Sequence, residues 1–102
     1  MTLSEIDGIT DSVKGTGWSV QVIEDGKAVG VKYEHTDGSE FTVWIRDSDG
    51  VQRVDSIAQY AAAFSKAALM SDHGREAGST IIIIRARLNQ SILAHKLLNI
   101  YV

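Results

Sequence analysis

Two Asp-Gly pairs, Asp25-Gly26 and Asp37-Gly38, interrupt an alternating stretch from Trp18 to Ile45, and they constrain the fold more than any other feature of the chain. Alternation with period two is the pattern of a half-buried strand, and glycine supplies the positive φ that tight hairpins need. The stretch therefore reads as an antiparallel meander of three strands. With Asp25-Gly26 as the central pair of a type I′ turn, Glu24 faces Lys27, Val22 faces Val29, Val20 faces Val31 and Trp18 faces Tyr33. With Thr36-Asp37-Gly38 as a three-residue loop, Tyr33 faces Phe41, Val31 faces Val43 and Val29 faces Ile45. A two-residue Asp37-Gly38 loop would send Phe41, Val43 and Ile45 to the other side, which a single core rejects. Val20, Val22, Val29, Val31, Val43 and Ile45 are thus expected to be buried on one face. Trp44 falls on the opposite face, across from Gly30 and near Gln21, Ile23 and Thr42. There it shields backbone that has no side chain of its own, or meets another element or a partner.

Helical spacing appears on both sides of the meander. Ile6, Ile9 and Val13 recur at i, i+3, i+7, with Ser4 or Thr2 as N-cap and a stop before Gly15 or Gly17. Asp47-Ser48-Asp49-Gly50 closes the third strand and leads to a helix expected from about Asp55 to Asp72. Ile57, Tyr60, Ala61, Phe64, Ala68 and Leu69 form its buried stripe, and His73-Gly74 stops it. Thr80 and the run Ile81 to Ile84 are β-branched, which favours a fourth strand, after which Asn89 caps a C-terminal helix through Ile92, Leu93, Leu97 and Ile100. The rival is one helix from Ser79 onward, since no Gly or Pro interrupts the rest of the sequence. The expected fold class is α+β: an N-terminal helix, a three-stranded antiparallel meander, a helix, a fourth strand and a C-terminal helix, in one domain over residues 1–102.

A chain of 102 residues suffices for one core, and 44% hydrophobic with 23% charged residues is far from a disordered composition. Without cysteine, neither a disulfide framework nor a thiolate metal site can form. The N-terminus MTLSEIDGIT carries acids where a secretory leader carries Lys or Arg. The Ile81 to Ile84 run is far short of the roughly 20 residues that span a bilayer. A cytoplasmic protein without membrane association is expected.

No motif for chemistry emerges. His35, His73 and His95 are far apart and lack metal-ligand spacing, and no serine sits in a nucleophile elbow. Asp47-Ser48-Asp49-Gly50 resembles the middle of a calcium loop, but placing Gly50 sixth puts Ile45 first and Ser56 twelfth, where carboxylates are required. Lys14-Gly15-Thr16-Gly17 precedes a strand, whereas phosphate-cradling loops follow one and open a helix. No catalytic residue, cofactor or metal site is therefore assigned, and the chain is not expected to be an enzyme. Arg85, Arg87, Arg75 and Lys96 make no nucleic-acid footprint in a chain of pI about 5.5. Pairing of these cations with the acidic half, within the chain or across an oligomer interface, is the simpler account.

Charge is unevenly spread: residues 1–50 hold ten acids and four bases, and residues 51–102 hold three acids and six bases. The order of elements carried by Leu3-Ser4-Glu5-Ile6, Trp18-Ser19-Val20-Gln21-Val22, Asp37-Gly38-Ser39-Glu40-Phe41-Thr42-Val43 and Ile57-Ala58-Gln59-Tyr60 resembles small phage-encoded anti-CRISPR inhibitors and toxin-immunity proteins. That resemblance covers roughly residues 3–70 and implies a non-enzymatic inhibitor that occludes a surface of a larger partner. The expected partner is a protein with a basic surface, met by Glu24, Asp25, Asp47 and Asp49 at one end of the meander with Trp44 as apolar anchor. The alternative is a homo-oligomeric structural or accessory protein, such as a homodimer, assembled through the apolar segment from Ile92 to Val102.

Overall fold

Three segments pair as antiparallel strands, Trp18–Asp25 (β1), Ala28–His35 (β2) and Glu40–Arg46 (β3), in the sheet order β1-β2-β3. The computed structural model describes residues 3–71 and 80–90. Helix α1 (Leu3–Ser12) precedes the sheet, α2 (Ile57–Met70) follows it, and residues 80–90 form a further helical stretch, α3. The molecule is an α+β fold.

The first hairpin departs from the expected pairing. Val22 faces Val31, Val20 faces Tyr33, Trp18 faces His35 and Glu24 faces Val29. The turn pair is Gly26-Lys27 rather than Asp25-Gly26. Gly26 has φ +62, while among the described residues none other than glycine has positive φ. A type I′ turn needs positive φ at both central residues, whereas type II′ needs it only at the first, where glycine belongs. The slip is two residues, so each side chain keeps its face.

The second hairpin has the expected register at Tyr33 with Phe41, Val31 with Val43 and Gly30 with Trp44. It then shifts, so that Val29 pairs with Arg46 and not with Ile45. The return segment supplies the reason. Ile45 O accepts from Arg53 N at 2.8 Å and Val54 N at 3.3 Å, and Arg46 bridges to Gln52. The bulge turns the end of β3 toward these new partners.

The inner face of the sheet carries the core. Val31, Tyr33 and Val43 are buried with Ile57, Tyr60, Ala61 and Phe64 of α2 and Ile9 of α1. Phe41 stacks on Tyr33 at 4.9 Å and tilts onto Phe64 at 5.9 Å. Burying a side chain such as Phe64 contributes about 1.5–3 kcal/mol. Val20, Val29 and Ile45 are half-buried, but Val22, expected in the core, is 56% exposed. It points the right way and lies at the rim of an apolar hollow of about 180 Å³ lined also by Ile9, Val20, Val29, Val31 and Ile45. Of the apolar positions expected along α1, Ile9 and Val13 are buried and the side chain of Ile6 lies outside the described residues. Ser4 falls within the helix rather than at its cap.

Helix α2 is capped by its own sequence. Ser56, extended at φ −138 and ψ 162, accepts from Gln59 N, and Gln59 Oε1 accepts from Asp55 N at 2.6 Å, a near relative of the capping box. At the other end Ser71 N and Oγ both donate to Ala68 O. His73-Gly74 lies outside the described residues. Leu69 is 68% exposed rather than buried, because five residues beyond Phe64 is roughly 140° around a helix.

The fourth strand is not formed: residues 80–90 are helical, and Asn89 lies inside that helix instead of capping one. Ile84 and Leu88 are fully buried while Ile82, Ile83 and Ala86 are exposed; a strand with Ile84 and Leu88 inward would turn Ile82 and Ala86 inward too, whereas a helix sends both outward. Tertiary burial here overrides the β preference of isoleucine. Trp18 Nε1 donates to Thr80 Oγ1 at 3.4 Å, and the Arg87 guanidinium donates to the carbonyls of Ser12 and Lys14 at the end of α1. Arg87 thus satisfies helix-terminal carbonyls rather than a carboxylate. The predicted C-terminal helix beyond residue 90 lies outside the described residues. No described helix is long and apolar enough to cross a membrane.

Candidate protein-binding surface

Alternation along β3 sends Phe41 and Val43 into the core and leaves Thr42 and Trp44 on the outer face of the sheet. Trp44 lies across from Gly30, and the absence of a side chain there is required. A Cβ on Gly30 would come within 2.8 Å of Thr42 Cγ2 and 2.9 Å of Trp44 Cε3. The indole covers the glycine backbone and still keeps 44% of its surface in solvent. On the same face Lys32 Nζ meets Glu40 Oε2 at 3.0 Å, and that hydrogen bond raises the lysine above its usual 10.5.

The two turns beside Trp44 meet at one end of the sheet. The Lys27 side chain passes Gly50, whose added Cβ would lie 3.4 Å from Lys27 Cδ. Glu24, Asp25, Asp47 and Asp49 therefore do share an end, as expected. Their states differ. Glu24, Asp25 and Asp49 are exposed, and no side-chain hydrogen bond or ion pair joins them to another described residue. Asp47 is fully engaged: its Oδ1 accepts from Asp49 N at 2.9 Å and Val51 N at 3.0 Å, and its Oδ2 meets Arg53 Nε at 2.9 Å and the terminal guanidinium nitrogen at 2.8 Å. The Val51 N–H, then Arg53 and the Asp49 N–H, hold this carboxyl below its usual 3.8. Asp47 organises the loop that returns the chain to β3. Lys27, Arg46 and Arg53 flank the same end, so its field is mixed and the three remaining acids act as points, not as a sheet of charge.

A second element of this surface was not legible in the sequence. Between β3 and α2 runs an open groove of about 500 Å³ lined by Phe41, Val43, Trp44, Ala63, Ala67 and Met70, among others. Met70 is 76% exposed. The alanines of α2 permit close approach of the helix to the sheet, but nothing in the sequence marks which side of the helix stays open.

His35 Nδ1 lies 3.2 Å from Asp37 Oδ1 and accepts from Asp37 N at 3.3 Å, while its ring packs edge-on against Trp18 at 5.0 Å. These contacts hold the loop of the second hairpin. Among the described residues no three His, Cys, Asp or Glu converge as a metal site would require. No protein-family model, curated protein or solved structure matches the chain.

Proposed function

We propose that this chain is a non-enzymatic protein-binding module that occludes a basic surface of a larger partner, as the resemblance to small phage-encoded inhibitors implies. The observation that carries this reading is Trp44, a large ring fixed over Gly30 yet 44% exposed, beside the exposed carboxylates of Glu24, Asp25 and Asp49. An aromatic anchor ringed by charge is the usual anatomy of a binding hot spot. Trp44 supplies buried area and a slow off-rate; the carboxylates steer the encounter and select a basic face. Asp47 contributes by fixing the turn that presents Asp49.

Two variants test the reading against a partner isolated by affinity capture. Trp44→Ala should speed dissociation at least tenfold, a loss of about 1.4 kcal/mol or more. Asp25→Asn with Asp49→Asn should slow association and flatten its salt dependence. Unchanged kinetics in both variants, with folding intact by circular dichroism, would refute the proposal.

A further inference from the structure

Among the described residues β3 is an edge strand, and its outer edge is open over a defined length. In an antiparallel ladder the backbone groups of alternate residues point to alternate sides. His35 N donates to Ser39 O at 2.8 Å, which fixes the phase: Ser39, Phe41 and Val43 turn their groups toward β2, and Glu40, Thr42 and Trp44 turn theirs outward. Beyond Trp44 the edge is closed, because Ile45 O is taken by Arg53 and Val54 and Arg46 bridges to Gln52. The free edge is thus residues 40–44. It carries no proline, no bulge and no lysine, the devices that normally protect such an edge.

We propose that this edge pairs with the same edge of a second copy of the chain. The inference goes beyond the binding reading and does not depend on it. The free edge is symmetric about Thr42, so the one antiparallel register that uses all of it sets Thr42 opposite Thr42 and Glu40 opposite Trp44 of the second copy. Every outward backbone group then finds a partner, giving about six interchain hydrogen bonds. The side chains agree with that register. On the inner face Phe41 meets Val43, which extends the apolar layer across the junction. On the outer face the sequence sets no like charges opposite each other, and the Glu40 carboxylate already has Lys32 at 3.0 Å.

The α2 groove completes the fit. It runs along the same edge, and its wall is small and apolar at Ala63 and Ala67 with Met70 exposed at its end. Two such grooves brought together about a twofold axis let the α2 helices close over the joined sheets, with methionine filling the gap. Among the described residues β1 also has an open edge, with Val20, Val22 and Glu24 turned outward by the same counting, but the hollow beside it, between β1 and Ile9 of α1, is about 180 Å³ against about 500 Å³ for the α2 groove.

Sedimentation equilibrium of the intact chain over a concentration series tests the proposal. The wild type should be a dimer at the upper concentrations. Thr42→Lys, which sets two ammonium groups face to face at the axis, should raise the dimer dissociation constant by at least ~10-fold. Thr42→Pro should do the same without loss of an intrachain bond, because the N–H it removes points away from β2. Val22→Lys on the β1 edge should leave the constant unchanged. Circular dichroism confirms that each variant is folded. A wild type that stays monomeric, a folded Thr42→Lys that dimerises as before, or a dimer broken by Val22→Lys instead would each overturn the proposal.

Discussion

The hydroxyl of Tyr33 lies 2.7 Å from the hydroxyl of Tyr60, and both side chains are fully buried. One donates and the other accepts, so the pair joins the centre of the sheet to α2 by a polar contact inside an otherwise apolar core. Removing one hydroxyl strands the other. Tyr33→Phe and Tyr60→Phe should each cost about 1–3 kcal/mol, whereas the double variant should cost clearly less than their sum. Urea unfolding of the four proteins in a double-mutant cycle measures this directly.

The same pair sets an alkaline limit on stability. Burial pushes both phenols well above the usual 10.0, more so for Tyr60, which also feels Tyr33. The folded chain keeps them protonated, while the unfolded chain releases the protons near 10.0. Stability is therefore full below that pH and declines as pH rises above it. Absorbance at the phenolate band should show these two tyrosines ionising together with unfolding, and the double phenylalanine variant should lose that part of the alkaline decline.

Asp47 sets an acidic counterpart, local rather than global. Its carboxyl is held below 3.8 by the Val51 N–H first, then by Arg53 and Asp49. A depressed value contributes stability that is present above the unfolded value and lost as pH falls through the folded one. Below about pH 4 the amides of Asp49 and Val51 should lose hydrogen-exchange protection, and Asp47→Ala should show the same loss at neutral pH.

Gly30 and Trp44 should be strongly coupled. Gly30→Ala forces a Cβ to 2.9 Å from the indole and should cost about 1–3 kcal/mol. Once Trp44 is also changed to Ala, the part of that cost due to the indole should vanish, leaving the 2.8 Å approach to Thr42 Cγ2. Chemical denaturation of the single and double variants gives the coupling energy.

The helix at residues 80–90 makes an unequal set of isoleucines. Ile84→Ala, at a fully buried position, should cost about 2–5 kcal/mol, whereas Ile82→Lys, at a position 67% exposed, should stay within about 0.5 kcal/mol. A strand buried on both faces would make both substitutions severe.

What the sequence disclosed follows from how local each signal is. Gly38 in third place fixed the β2–β3 register as far as Gly30 and Trp44, and the stripe Ile57, Tyr60, Ala61, Phe64, Ala68 was visible as periodicity. Asp25-Gly26 misled because the dipeptide suits the centre of one turn type, while glycine alone suits the first place of another, and only the ladder decides between them. The Ile81 to Ile84 run misled because β-branching is a weak local preference, and the burial of Ile84 and Leu88 against distant elements outweighs it. The bulge at Ile45 depends on Arg53 and Val54 returning to the strand, which no local pattern encodes. In the candidate site Trp44 and Gly30 were legible by counting. The engagement of Asp47 had a signal as well, since Asp followed by Gly three residues later is a turn signature in which the carboxylate binds its own backbone.

The claim that Trp44 and its neighbouring acids form the contact surface is tested most directly by a photo-crosslinking residue at position 44. The chain would be made in the cells that produce it, with the same residue at Ala62 on the exposed side of α2 as the control. Position 44 should yield an adduct with another protein, heavier than two copies of the chain, that weakens when Asp25 and Asp49 are changed to Asn. An adduct that forms equally from position 62, or none from position 44 other than with a second copy, would contradict the account.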